Sequence, residues 1–225
     1  MAKLVWDAIG DKRWETGVDQ CALFVMGSDG QYGAGVAWNG ITAITDSPSG
    51  AESNPFYADN IKYADLRSAE ESGGTIEAYT YPDEWKACNG ANEISDGVSF
   101  NQQGRATFGL VYRTKVGNDV SSELGYKLHI VYGATASPSE QNHQTVNDSP
   151  ELDTFSWEYT TNPVNANITV NGVAVPMKPL STIEIDSTKV TQKKWEDFEA
   201  IVYGNGTNDP RLPLPAEVYT HFTTT

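Results

Sequence analysis

The side chains able to do chemistry in this chain are few, and their spacing does not favour it. There are three histidines, His129, His143 and His221. A metal set needs ligands clustered at short, regular spacings. Here His129 falls on the polar side of a strand beside Lys127, His143 falls in a loop, and His221 falls in the tail. Glu70 and Glu71 are adjacent, and adjacent side chains point apart in a strand or a helix, so a shared acid/base role is not expected. The nucleophile elbow, the P-loop and the dinucleotide fingerprint are missing from the sequence. Gly27-Ser28-Asp29-Gly30 and Gly204-Asn205-Gly206 read as turns rather than phosphate cradles. The two cysteines, Cys21 and Cys88, are isolated and read as small buried hydrophobes. The expectation is a non-enzyme with no cofactor and no metal.

The aromatic residues leave a choice open. Six Trp and eleven Tyr on a β framework could form a sugar-binding platform or pack a core. Trp157 alternates with core-facing neighbours, and Trp195 lies on the apolar side of a helix, so both read as core. Trp6, Trp14, Trp38 and Trp85 are not assigned by pattern.

The elements that would position these groups are mostly strands. Residues 21–26 form an apolar run of strand length, and residues 35–44 and 75–81 are rich in β-branched and aromatic types. Residues 107–114 place Phe108, Leu110 and Tyr112 on one face. Residues 126–132 do the same with Tyr126, Leu128, Ile130 and Tyr132, and residues 155–159 with Phe155, Trp157 and Tyr159. Period-two alternation of this kind predicts half-buried sheet, wet or partnered on its second face. Asn171-Gly172 predicts a hairpin turn within residues 167–176. Pro82 opens a short helix that Asn89-Gly90 ends. Residues 191–203 predict an amphipathic helix with Trp195, Phe198, Ile201 and Val202 on one side. The fold class expected is mainly β: an antiparallel β-sandwich or half-barrel with a flanking α-helix and a long inter-strand loop. One domain should cover residues 1–225, with an N-terminal arm at 1–20 and an extended tail at 205–225.

The long loop at 46–72 is the most informative segment. It carries Asp46, Pro48, Phe56, Tyr57, Ile61, Tyr63 and Leu66 without a clear period. Compact domains rarely keep such a loop without a use for it. A loop surrounded only by water would have little reason to hold so many large apolar groups. They are expected to pack on the domain's flank or on another molecule.

Charge narrows the partners. The formal net charge is −15, and residues 15–61 and 129–177 contain neither Lys nor Arg. A nucleic-acid grip needs clustered bases to replace counterions, so none is expected. The chain lacks a secretory leader pattern and an apolar run long enough to span a bilayer, which predicts a soluble cytoplasmic product without a membrane anchor. Sequons at Asn147, Asn167 and Asn205 would matter only on a secretory route.

Several blocks of the sequence resemble a known family. They are W-N-G-I-T-A-I-T-D-S-P-S-G-A-E-S (38–53), Y-A-D-N-I-K-Y (57–63), G-G-T-I-E-A-Y-T-Y-P-D-E-W (73–85), T-F-G-L-V-Y-R-T (107–114), G-Y-K-L-H-I-V-Y-G-A-T-A-S-P-S-E (125–140) and N-D-S-P-E (147–151). Together they resemble the major tail tube protein of long-tailed, non-contractile bacteriophages, over residues 35–215. One departure is the segment 167–176, longer than the family's usual connection. The resemblance implies hexameric rings whose sheets join into one barrel, stacked into a tube through which the genome leaves. It implies partners of three kinds, the tape measure, tail tip and tail terminator proteins, and a place in the virion after assembly in the bacterial cytoplasm. DNA would pass without specific binding, along an acidic wall for which Glu77 and Glu158 are candidates. The competing placement pairs them across strands with Arg113, Lys115 or Lys127 on an outer face. A carbohydrate-binding β-sandwich or adhesin module is the alternative function, and it predicts exposed Trp platforms.

Overall fold

A computed structural model describes residues 3–145, 148, 152–170 and 173–223. Strands dominate. In chain order they are β1 (Arg13–Val25), β2 (Val36–Ala37), β3 (Ile41–Asp46), β4 (Ser49–Gly50), β5 (Ser53–Ala58), β6 (Ile61–Arg67), β7 (Glu70–Glu71) and β8 (Gly73–Ala78). Helix α1 (Trp85–Cys88) precedes the hairpin of β9 (Asn92–Ser95) and β10 (Val98–Phe100). The long strands β11 (Phe108–Asn118) and β12 (Gly125–Ala136) follow, then β13 (Phe155–Thr161), β14 (Ile168–Val170), β15 (Val173–Val175) and β16 (Thr182–Asp186). Helices α2 (Gln192–Tyr203) and α3 (Pro215–Thr223) close the described chain.

The main sheet is antiparallel and runs β2-β1-β11-β12-β13-β8-β3, with β16 also on β12. Strand β12 serves two partners along one edge. Its residues 127–131 pair with β16, and its residues 134–136 pair with β13. The handover falls at Gly133, whose φ is +61°, where a Cβ would collide with the Asn162 carbonyl. Only glycine fits both demands.

Two apolar layers sandwich the centre of this sheet. On one side Phe108, Leu110 and Tyr112 pack with Ile76, Trp157 and Tyr159, closed by Trp85 and Trp38. On the other side Val111, Leu128, Ile130 and Tyr132 lie under Trp195, Phe198 and Val202 of α2 and Val218 of α3. The expected wet second face is therefore corrected for β11 and β12. The second phase of β11 reads Gly109, Val111, Arg113, Lys115: it starts small and apolar, where the helices cover it, and ends charged. The expectation does hold for β8 and β13, where buried and accessible residues alternate.

Three expected segments differ. The arm at 1–20 is shorter, because β1 already begins at Arg13. Its polar start escaped the apolar pattern because polar partners satisfy it, as when Lys127 meets Glu15. The tail at 205–225 is extended only in part. Pro215 opens α3, a favoured first helical position, and Phe222 packs on Phe198 with ring centres 5.0 Å apart. The loop at 46–72 is not structureless: it folds into the β4–β7 ladder and the β5–β6 hairpin. The Asn171-Gly172 turn lies outside the described residues, though β14 and β15 pair on either side of it. So does most of the block at 147–151.

Candidate functional site

The β5–β6 hairpin is a projecting arm with two unlike faces. Its two-residue turn is Asp59-Asn60, with φ of 52° and 63°. Positive φ at both positions is the turn geometry that matches strand twist, and Asp and Asn tolerate it. Asn54 pairs with Leu66, Phe56 with Ala64, and Ala58 with Ile61. A bulge between these last two pairs makes Tyr63 the extra residue, so this register puts Asn54, Phe56, Ala58, Ile61, Ala64 and Leu66 on one face. Ser53, Pro55, Tyr57, Lys62, Asp65 and Arg67 share the other. That second face satisfies itself: Ser53 Oγ and Lys62 Nζ donate to Asp65 at 2.6 and 2.5 Å. The bonds from Lys62 and then Ser53 hold the Asp65 carboxyl below its ordinary range. The apolar face has no such closure. Phe56 is 47% exposed, Ile61 65% and Leu66 61%.

Of the residues expected in the loop, the structure brings Phe56 and Ile61 together. Tyr57 lies on the opposite face and Tyr63 in the bulge. Asp46 and Pro48 are at the root rather than on the arm. There the Tyr112 hydroxyl donates to the Asp46 carboxylate at 3.1 Å, and Tyr159 donates to it at 3.5 Å. Pro48 lines a cavity of about 200 Å³ under the root, with Glu70, Tyr112 and His129.

A polar network leads away from this root, and sequence reading missed it. The Tyr112 ring stacks on His129, with centres 4.7 Å apart and planes 9° from parallel. His129 Nε2 lies 3.0 Å from Thr114 Oγ1 and 3.3 Å from a Glu15 carboxylate oxygen. Lys127 Nζ bridges Glu15 at 2.9 Å and Glu184 at 3.0 Å. Burial works to raise the Glu15 carboxyl, and the bonds from Lys127 and Thr114 outweigh it, so the group sits below its ordinary value. Burial, then the Asp46 charge, pushes the Tyr112 hydroxyl up. The available signal was Lys127 and His129 alternating on one strand face, but their partner Glu15 lay in the presumed arm.

Glu77 and Glu158 occupy the bare face of the sheet. Glu77 sits opposite Ser156, and Glu158 opposite Thr75. Both point away from the layer that holds Ile76 and Trp157. Their same-face register neighbours, Ala43, Thr45, Thr75, Ser156 and Thr160, include no base. Among the described residues neither glutamate makes an ion pair. Arg113 is engaged by Asp19 at 2.9 Å and Glu199 at 3.2 Å, and Lys127 by Glu15 and Glu184.

The chemistry-bearing groups stay apart. His221 Nε2 sits 2.8 Å from the Lys194 carbonyl in the α2–α3 contact, far along the chain from His129. Among the described residues no group of His, Cys, Asp and Glu could hold a metal ion. Cys21 and Cys88 are free, buried thiols, and burial pushes Cys88 up to about 12. Trp38, Trp85, Trp157 and Trp195 are all buried, leaving only Trp6 and Trp14 exposed. No helix among the described residues is long and apolar enough to cross a membrane.

No protein-family model and no curated protein matches the chain.

Proposed function

We propose that this chain is the building block of a bacteriophage tail tube, forming stacked hexameric rings that conduct DNA during ejection. The observation that carries this reading is the β5–β6 arm. Its face of Phe56, Ile61 and Leu66 is exposed in the single chain, and an apolar strand pair held in water calls for a covering surface. A second copy supplies one in a symmetric assembly. Two further features support the reading. Among the described residues, strand β1 has no ladder partner opposite β11 over residues 13–20, so the sheet keeps an edge to share. The bare face with Glu77 and Glu158 offers passing phosphates no cation, which suits a wall that DNA must not grip. The tape measure, tail tip and tail terminator proteins are the partners this reading requires, and the virion its location. Burial of four of the six Trp residues leaves only Trp6 and Trp14 for the exposed Trp platform that the carbohydrate-binding alternative predicts.

Electron microscopy of the purified protein tests the proposal. Rings or hollow tubes at high concentration, or with a tail-tip nucleus, are expected. Featureless monomers under all of these conditions would overturn it.

A further inference from the structure

A groove of about 850 Å³ lies between the C-terminal end of α2 and the β1–β2 edge. Three of its features are unfinished. First, the Tyr203 hydroxyl on its wall is buried and lacks a hydrogen-bond partner. A buried hydroxyl without a partner costs about 1–3 kcal/mol, so a polar group entering the groove there is favoured. Second, β2 pairs with β1 only at Ala22 and Leu23, with the Trp38 amide donating to the Cys21 carbonyl just beyond. From Gln20 back to Val18 the β1 edge lines the groove without a paired strand among the described residues. Third, Asp19 and Glu199 share the single guanidinium of Arg113, which leaves one negative charge in excess.

The complementary object is an extended, apolar segment that carries a cation. The chain holds one. Residues 3–6 read Lys-Leu-Val-Trp, with Leu4 72%, Val5 75% and Trp6 75% exposed. In its own chain the segment stays exposed and lines none of the groove. The Gly10 amide donates to Asp119, and Asn118 donates to the Gly10 carbonyl, which pins the segment beside the Arg13 end of β1. From Arg13 to Val18, the near end of the groove, β1 climbs about 17 Å. Trp6 is four residues from Gly10 and reaches at most about 14 Å.

We infer that residues 3–6 of one copy dock in the groove of another. The segment adds as a short strand to the open edge of β1, with apolar side chains against Val36 and Trp38. The Trp6 indole N–H supplies a donor for the Tyr203 hydroxyl, and Lys3 answers the surplus carboxylate. Segment and groove are different surfaces of one chain, so each copy can give its segment to one neighbour and receive one from another. The inference rests on the self-association proposed above, and names a contact distinct from the β5–β6 arm.

Engineered disulfides test it in the full-length protein. Val5→Cys in one preparation is mixed with Ala37→Cys in another, since Ala37 lines the groove. Val5→Cys mixed with Glu196→Cys, on the outer side of α2, is the control. Mild oxidation should cross-link the first mixture at least about tenfold more than the control. Adding Trp6→Asp to the Val5→Cys chain should remove that excess. Equal cross-linking in both mixtures, or an excess that survives Trp6→Asp, overturns the inference. Tubes without the cross-link sink the groove alone, and the cross-link without tubes sinks the tube alone.

Discussion

The Tyr112 hydroxyl lies 3.1 Å from the Asp46 carboxylate, joining the middle of β11 to the residue where the arm leaves the sheet. Tyr112 is itself nearly buried and stacked on His129, so the bond anchors a projecting element to the core. Tyr112→Phe keeps the ring and removes the bond. We expect a loss of about 0.5–1.5 kcal/mol in chemical denaturation. Hydrogen exchange at residues 46–50 should quicken while the centre of β12 stays protected. Unchanged exchange at the root would show that the arm is held by other means.

The two faces of the arm should respond differently. Phe56→Asp and Ile61→Asp should abolish assembly, because each places a charge on the apolar face. Tyr57→Ala should impair it far less, because Tyr57 sits on the self-satisfied face. All three residues are exposed, so monomer stability should stay within about 0.5 kcal/mol of the parent. Sedimentation gives the assembly state and a thermal melt gives the stability.

Glu15 makes stability depend on acidity in a stated direction. Its carboxyl sits below the ordinary value of 4.5 in the folded chain. A depressed carboxyl contributes stability that is complete above the unfolded value and is lost as pH falls through the folded one. Glu15→Gln should therefore be less stable than the parent at neutral pH, and the gap should close as pH drops below 4.5. A gap independent of pH would mean that the carboxylate's charge is not what Lys127 holds.

Charge reversal on the bare sheet face separates fold from function. Glu77→Lys and Glu158→Lys lack an ion pair to break, so the folded chain should tolerate them within about 0.5 kcal/mol. In assembled tails they should slow DNA ejection, because each added cation gives phosphates a binding point. Normal ejection from well-formed variant tails would remove these residues from the channel wall.

Much of this was legible in one dimension. The alternation in β8 and β13 sorted Ile76 and Trp157 inward and Glu77 and Glu158 outward, because a strand turns successive side chains to opposite faces whatever its neighbours are. The helical period of residues 191–203 announced a lid for the same local reason. Which face α2 would cover was not local. Val111 is buried because α2 and α3 return to the sheet, and a contact between distant segments leaves no period to read. The same holds for Glu15, whose polar stretch resembled a free arm until β11 and β12 supplied Thr114 and Lys127 as partners. The loop's apolar content was visible from composition, but its amphipathic order was not. A single bulge at Tyr63 shifts the side-chain parity of β6, and only strand pairing reveals where such a shift falls.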